Sequence, residues 1–248
     1  MYELFLTAHL VGTIFTIIVL FMHLQPLDIS SLSTILMIVS ALVVVVIMTI
    51  RLGLIFWMKA DVSIVEENGL LRAELHLRRP CKIHAGQYMN LRIPTSLRSF
   101  NESHPFFISS WENDGNGNAR NITILIQRMS GFTQRLRATP TTARAFVEGP
   151  YGHSPLSGND SNFIFFASGI GITAHLGSIK QLLDARDQGP TNTRVISLLW
   201  EVDEIEQWDM AIKMVHQLLD QDGDRCQKEA PDWPHARSRY VSYLIELS

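Results

Sequence analysis

Two histidines, one glycine-rich turn and two short motifs of small, aromatic and hydroxylated residues are where this 248-residue sequence could do chemistry. His9 and His23 lie in an apolar run. On a helix, at ~100° and 1.5 Å per residue, their spacing returns them to nearly the same face about 21 Å apart. A neutral imidazole in such a helix can be an axial ligand of haem iron. It can equally hydrogen-bond a neighbouring helix, or at His23 sit at a membrane interface, and spacing alone does not choose. A bis-histidine haem needs a second ligand from another helix. The next apolar run holds no histidine, so this chain alone completes no such site.

Gly169-Ile170-Gly171-Ile172-Thr173-Ala174 follows an apolar strand and opens an amphipathic stretch. A G-x-G-x-x-A turn in that position lets backbone approach a pyrophosphate, whose charge the helix N-terminus favours. The alternative is a tight strand-to-helix turn with no ligand. Arg128-Met129-Ser130-Gly131-Phe132-Thr133 sets a cation, a glycine and two hydroxyls before a short helical stretch. That suits phosphate, or a plain helix cap at Ser130 or Thr133. His104-Pro105-Phe106-Phe107-Ile108-Ser109-Ser110 begins a strand. Its small residues and backbone amides could line a flat ring, or its aromatics could simply be core. Glu148-Gly149-Pro150-Tyr151-Gly152 reverses the chain. His84, His153 and His175 lack metal-ligand spacing. No Ser/His/Asp arrangement is identifiable, and Glu201, Asp203, Glu204 and Glu206 read as a solvated helix start. No catalytic side chain is assigned.

The elements that would position these residues fall into three stretches. Residues 2–24 and 32–56 each reach the ~20 apolar residues that cross a bilayer. Gln25, Pro26, Asp28 and Ser30 form a polar turn between them, giving a membrane helical hairpin over 1–59. Arg51 and Lys59 place its far end in the cytosol by the positive-inside rule. From Ala60, strands at 61–65, 70–77, 88–93, 106–111, 121–128 and 145–148 predict a small antiparallel barrel or sandwich over 60–155, with Glu67-Asn68-Gly69 as a hairpin turn. From 156 to 248, apolar strands at 163–167 and 193–200 alternate with helices at 174–187 and 205–219. Gly189-Pro190 stops the first helix. This predicts an α/β lobe with a parallel sheet. Residues 221–239 read as a polar loop and 240–247 as a further strand.

Composition narrows the partners. Net charge is −3 with no basic block, which argues against nucleic acid. Two cysteines, Cys81 and Cys226, are too few for a disulfide framework or a cysteine metal site.

Taken together, these residues resemble the ferric reductase and NADPH oxidase superfamily, most of all fungal ferric-chelate reductases. Ala85-Gly86-Gln87-Tyr88 is similar to the family's P-G-Q-Y strand, and His104–Ser110 to its H-P-F-T-I-A-S flavin motif. Gly131-Phe132-Thr133 with Leu136 is similar to G-F-T-x-x-L near the flavin phosphates. Gly149-Pro150-Tyr151-Gly152 matches G-P-Y-G, and Gly169–Thr173 is similar to the G-x-G-I-T turn at the NADPH phosphates. Leu199-Trp200 and Glu206-Gln207-Trp208 resemble the next strand and helix. The resemblance covers nearly the whole chain.

It implies a ferredoxin-reductase-like pair of lobes, a barrel for FAD and a nucleotide-binding lobe for NADPH, tethered to the plasma membrane with both lobes cytosolic. His104, Pro105, Phe106, Phe107, Ile108, Ser109, Gly131, Phe132 and Thr133 would contact FAD. Gly169, Gly171, Ile172 and Thr173 would contact NADPH. His9 and His23 would each ligate one haem b, the metal sites of the chain. Hydride would pass from NADPH to FAD, and single electrons would cross the membrane to a ferric or cupric chelate.

Departures bear on this. The family has about six spans, and this chain has two. Its C-G-P turn has no counterpart, since Cys226 precedes Gln227-Lys228. Phe107 stands where the family has a threonine whose hydroxyl contacts the flavin. The chain therefore reads as truncated at both ends, with an incomplete nucleotide lobe. Two alternatives stand beside the reductase: a non-catalytic membrane paralogue that associates with a full-length reductase, and a superoxide-producing NADPH oxidase.

Overall fold

The computed structural model describes residues 2–23, 31–94, 102–136, 142–156, 162–187, 195–202, 208–220, 226–229 and 239–246. The expected turn at 25–30, the stop at Gly189-Pro190 and the acids Asp203, Glu204 and Glu206 lie outside these residues. The chain divides into two compact units, 1–57 and 58–248.

The first unit holds α1 (Tyr2–His23) and α2 (Leu32–Trp57). Ser31 caps α2 by accepting the Thr34 amide through Oγ at 3.3 Å. Hydroxyls inside both helices are spent locally. Thr13 donates to His9 O, Thr16 to Gly12 O, Ser40 to Leu36 O and Thr49 to Val45 O, each at 2.8 Å. Such i−4 bonds keep a polar group satisfied where the surroundings offer no water. Leu32–Ile50 is long and apolar enough to cross a membrane, whereas the apolar stretch of α1 among the described residues is the shorter Val11–His23.

The second unit contains two sheets. Seven antiparallel strands run in the order β4-β3-β7-β1-β2-β6-β5. They are β1 (Lys59–Glu67), β2 (Leu70–Cys81), β3 (Tyr88–Arg92), β4 (His104–Phe107), β5 (Ser110–Asn113), β6 (Ala119–Gln127) and β7 (Thr142–Tyr151). β1 and β2 close through Asn68-Gly69, both with positive φ (52° and 81°), the backbone that a two-residue hairpin requires. The one strand expected over 106–111 is two. β4 pairs with β3 at one edge of the sheet, and β5 pairs with β6 at the other. Between them the Ile108 amide donates to Gln87 O at 3.0 Å and the Ser109 amide to Thr123 O at 2.9 Å. Consecutive residues thus bond strands from opposite edges, and the sheet curls onto itself. Its interior is filled by alternating apolar residues, among them Val62, Ala73, Leu75, Met89, Leu91, Ile122, Ile124 and Val147.

The second sheet runs β10-β11-β9-β8. β8 (Asn162–Ser168) leads through a 3-10 turn (Gly169–Ile172) into α4 (Thr173–Asp187), then β9 (Val195–Val202) and α5 (Asp209–Asp220). β8 and β9 are parallel, as a crossover helix dictates. The rest departs from a parallel sheet, because β11 (Arg239–Glu246) runs antiparallel to β9 and β10 (Cys226–Glu229) antiparallel to β11. Part of the expected loop at 221–239 is therefore strand. Cys226–Glu229 is polar in composition, which hides a short strand from a hydrophobicity reading. Phe165, Ile196, Leu198 and Trp200 face a core shared with α4 and α5. Ile164 and Phe166 are 65% and 66% exposed on the opposite face. Leu70 and Leu125 of the barrel also belong to this core, so the two lobes share apolar packing.

Candidate functional site

The motif at 104–110 forms the corner where the barrel closes. Along β4 the side chains alternate. His104 and Phe106 are half-buried, whereas Pro105 and Phe107 are exposed. Ile108 and Ser109 are buried. Their amides, expected to line a flat ring, are spent on Gln87 O and Thr123 O. The Ser109 hydroxyl accepts the Leu125 amide at 3.3 Å, so this serine knits the corner.

The second motif meets the first. α3 (Phe132–Leu136) starts at Gly131, whose φ of +79° suits glycine. The Phe132 ring stacks on His104 with centroids 4.4 Å apart and lies 6.3 Å from that of Phe106. A Cβ built on Gly131 meets nothing within 4 Å, so the turn is open on that side. Thr133 Oγ1 accepts the Met129 amide at 2.8 Å, so it reaches back from inside α3 to the residue before the turn instead of capping the helix. Arg128 pairs with Glu66 at 2.8 Å, and Arg135 with Glu102.

Two further motifs converge on the other side of β4. Gln87 accepts the His84 amide through Oε1 at 2.8 Å and donates through Nε2 to Gly152 O at 3.1 Å, tying the 84–88 segment to the 149–152 turn. The Tyr88 ring lies 6.2 Å from Phe107 and 5.7 Å from Tyr151. Phe107 thus occupies an aromatic cluster, on the side of the strand opposite Phe106.

In the α/β lobe, the Trp200 indole Nε1–H donates to Gly169 O at 2.9 Å. A Cβ on Gly169 would lie 3.4 Å from the Trp208 ring. Ile172 is fully buried, and the Thr173 hydroxyl donates to Ile170 O at 2.9 Å. Those two expected ligand contacts are therefore structural in their side chains. Gly171 is exposed with open space around its Cβ position, which leaves it as the accessible point of the turn.

Four residues that the sequence reading passed over fasten α4 to the barrel corner: Gly177, Lys180, Gln181 and Trp111. Their contacts join segments far apart in the chain, and no local pattern marks them. A groove on the face of β1, β2, β6 and β5 is lined by Asp61, Glu74, His76, Glu112 and Asn121, and of the motif residues only Ser110, at the end of the 104–110 segment, reaches it. There His76 Nδ1 meets Asn121 Oδ1 at 2.8 Å, and Asn121 Nδ2 donates to Glu112 at 2.7 Å. The carboxylate can only accept, so the amide oxygen faces His76 and its Nδ1 carries the proton.

His9 and His23 are both exposed on α1, with the Phe5 ring stacked 6.0 Å from His9. No other histidine occurs in residues 1–57. The chain offers at most one axial ligand per haem, so a bis-histidine site does not fit this chain by itself. Among the described residues no group of three or more His, Cys, Asp or Glu could hold a metal ion.

Residues 56–155 match the FAD-binding domain family. The chain is 27% identical over 164 residues to the Aspergillus oryzae protein named "Probable cell surface ferric reductase kap2", a match covering 61% of this chain and 21% of that protein. The chain thus spans about a fifth of the length of the curated relative it matches. Among solved structures, it is similar to phthalate dioxygenase reductase (TM-score 0.47, 21% identity, 59% of this chain and 44% of that one). It is also similar to ferredoxin-NADP+ reductase from Plasmodium falciparum (TM-score 0.48, 16% identity, 66% of each chain). The curled sheet that brings His104, Phe106 and Phe132 together lies in the stretch that matches the FAD-binding domain family, and the chain is similar there to a ferric reductase.

Proposed function

We propose that this chain is the flavin- and nicotinamide-binding part of a membrane-anchored electron-transfer oxidoreductase of ferric-reductase type. The observation that carries it is the meeting of the His104–Phe106 strand with the Gly131–Thr133 turn, in a barrel whose closing corner packs against the helix that follows the 169–173 glycine turn. Stacked rings beside an open glycine turn fit a dinucleotide that has one flat ring system and two phosphates. The second turn, open at Gly171 and followed by the fifteen-residue helix α4, fits a second pyrophosphate. A bound flavin supplies hydride acceptance and one-electron release.

The chain's own residues orient and hold. Half-buried Phe106, backed by the buried Phe132, gives the flat ring an apolar wall, and Gly131 leaves room for phosphate. Trp200 holds the Gly169 carbonyl so that the turn keeps its shape for NADPH. α1 and α2 anchor these lobes to a membrane, with Arg51 and Lys59 favouring the cytosolic side. The acceptor class is a ferric or cupric chelate. Haem ligation by His9 and His23 requires second ligands from outside this chain, and no step here runs through haem.

The test uses the full chain in nanodiscs. Expected are one FAD per chain, bleaching of the flavin absorbance by NADPH without oxygen, and its return on adding a ferric chelate. A chain that binds no flavin overturns the proposal in favour of a non-catalytic membrane protein. Flavin that reoxidises only with oxygen, yielding superoxide, would point to an oxidase.

A further inference from the structure

Helix α4 does more than follow the glycine turn. It touches the corner next to the flavin motif at its narrowest possible residue. A Cβ on Gly177 would lie 3.0 Å from the Ile108 carbonyl oxygen and 3.1 Å from Trp111 Cζ3. One turn further on, Gln181 Oε1 accepts the buried Ala85 amide at 2.8 Å. Lys180 Nζ lies 5.9 Å over the Trp111 ring and pairs with Asp184 at 2.7 Å. Trp111 is 4% exposed, and its Nε1 finds no hydrogen-bond partner among the described residues, so packing and the Lys180 cation hold the ring. All three contacts sit on a helix face, since 177 and 181 are four residues apart. Ile108 is the residue directly after β4, and its own amide is already fixed to Gln87 O. The carbonyl that meets Gly177 therefore cannot retreat without opening the barrel corner.

We propose that Gly177 and Gln181 are positioning residues that set the distance between the flavin and nicotinamide rings. This rests on the function proposed above. A rigid helix carries the pyrophosphate turn at its N-terminus and is seated on the flavin strand's exit at Gly177. Its seating depth therefore fixes how far the nicotinamide reaches toward the flavin. A side chain here would push the Ile108 carbonyl or the Trp111 ring back by a few tenths of an ångström, which is why glycine stands here although it is a poor helix former. Hydride transfer depends steeply on donor–acceptor separation, and a shift of a few tenths of an ångström is felt in rate before it is felt in binding.

The experiment compares the full chain in nanodiscs with Gly177→Ala and Gln181→Met. For each, stopped-flow gives the rate of flavin bleaching at saturating NADPH and the NADPH concentration for half-maximal rate. In the flavin-free chain, hydrogen exchange at the Ala85 amide and Trp111 emission report the seating directly. Expected for both variants are unchanged FAD content, a half-saturating NADPH concentration within about twofold of the parent and a bleaching rate down about tenfold. Expected too are faster Ala85 exchange in Gln181→Met and shifted emission in Gly177→Ala. Wild-type rates in both variants overturn the inference while leaving the reductase reading intact. A parent chain that binds flavin yet is never bleached by NADPH overturns the reading, and the inference with it. Should Gly177→Ala fail to fold, Gln181→Met decides.

Discussion

The His104 ring lies on the Phe132 ring with centroids 4.4 Å apart and planes 26° apart, which joins two motifs from separate strands and turns of the barrel. Phe132 is 4% exposed and also faces Phe106. Phe132→Ala removes a buried aromatic from between the two rings. A loss of about 3–5 kcal/mol is expected for such a truncation. Chemical denaturation of the barrel should show it, and FAD per chain should fall in parallel. Retention of both would mean that these rings carry neither the fold nor the cofactor.

Gly171→Asp tests the second turn without disturbing packing, because nothing lies within 4 Å of the Cβ position. A carboxylate there opposes the phosphates by charge. The NADPH concentration for half-maximal bleaching should rise at least about tenfold, the equivalent of ~1.4 kcal/mol. FAD content and thermal stability should stay as they are. An unchanged NADPH response places the pyrophosphate elsewhere.

Trp200→Phe keeps a buried ring but removes the Nε1–H bond to Gly169 O. The bond alone contributes about 1 kcal/mol, and the cavity left by the smaller ring adds to the loss. The effect on NADPH should exceed that on FAD, since Trp200 sits in the core of the α/β lobe and its hydrogen bond goes to the 169–173 turn. Equal weakening of both cofactors would show that Trp200 acts through global stability.

Lys213 Nζ bridges Asp209 on its own helix at 2.6 Å and Glu67 at the end of β1 at 3.2 Å. Hydrogen bonds to Asp209 first, then Glu67, raise its pKa above the ordinary 10.5. A cation whose folded pKa is raised stabilises fully below its unfolded value and loses that contribution as pH climbs through the folded one. Lys213→Met should therefore lower Tm by a constant amount at neutral and mildly alkaline pH. The difference should shrink above pH 10.5 and in high salt, because the group is exposed. A gap unaffected by salt would assign the loss to packing of the lysine stem.

Much of the architecture was legible in local pattern. Apolar and polar alternation in 61–65 and 70–77 around Asn68-Gly69 marks a hairpin, and the structure pairs Glu67 with Leu70 across it. The glycine turn between an apolar strand and an amphipathic stretch appears as the 3-10 turn and α4. The break at Ile108-Ser109 was not legible, since apolar and small residues continue through it and only pairing with two different edges separates β4 from β5. The strand expected over 240–247 appears as β11, but β10 and the antiparallel direction of both escaped for a related reason: strand direction comes from which neighbour is available, not from residue type.

Within the site, residue type announced that glycines, aromatics and hydroxyls stood at ligand-like spacing. It did not say which of them were already committed. Ser109, Thr133 and Thr173 carry hydroxyls that are spent on the protein's own backbone, and Ile172 is core.

By itself the sequence determined the kind of most elements, the apolar character of residues 32–50 and the positions where backbone could approach a phosphate. These depend on periods of two or 3.6 residues and on glycine's missing side chain, which are properties of neighbours along the chain. Only the tertiary structure decided that Phe132 meets His104, that Phe107 turns away from Phe106 toward Tyr88 and that Gly177 seats against Ile108. Those contacts follow from how the barrel closes and how α4 packs, and they link residues whose separation along the chain carries no periodic signal.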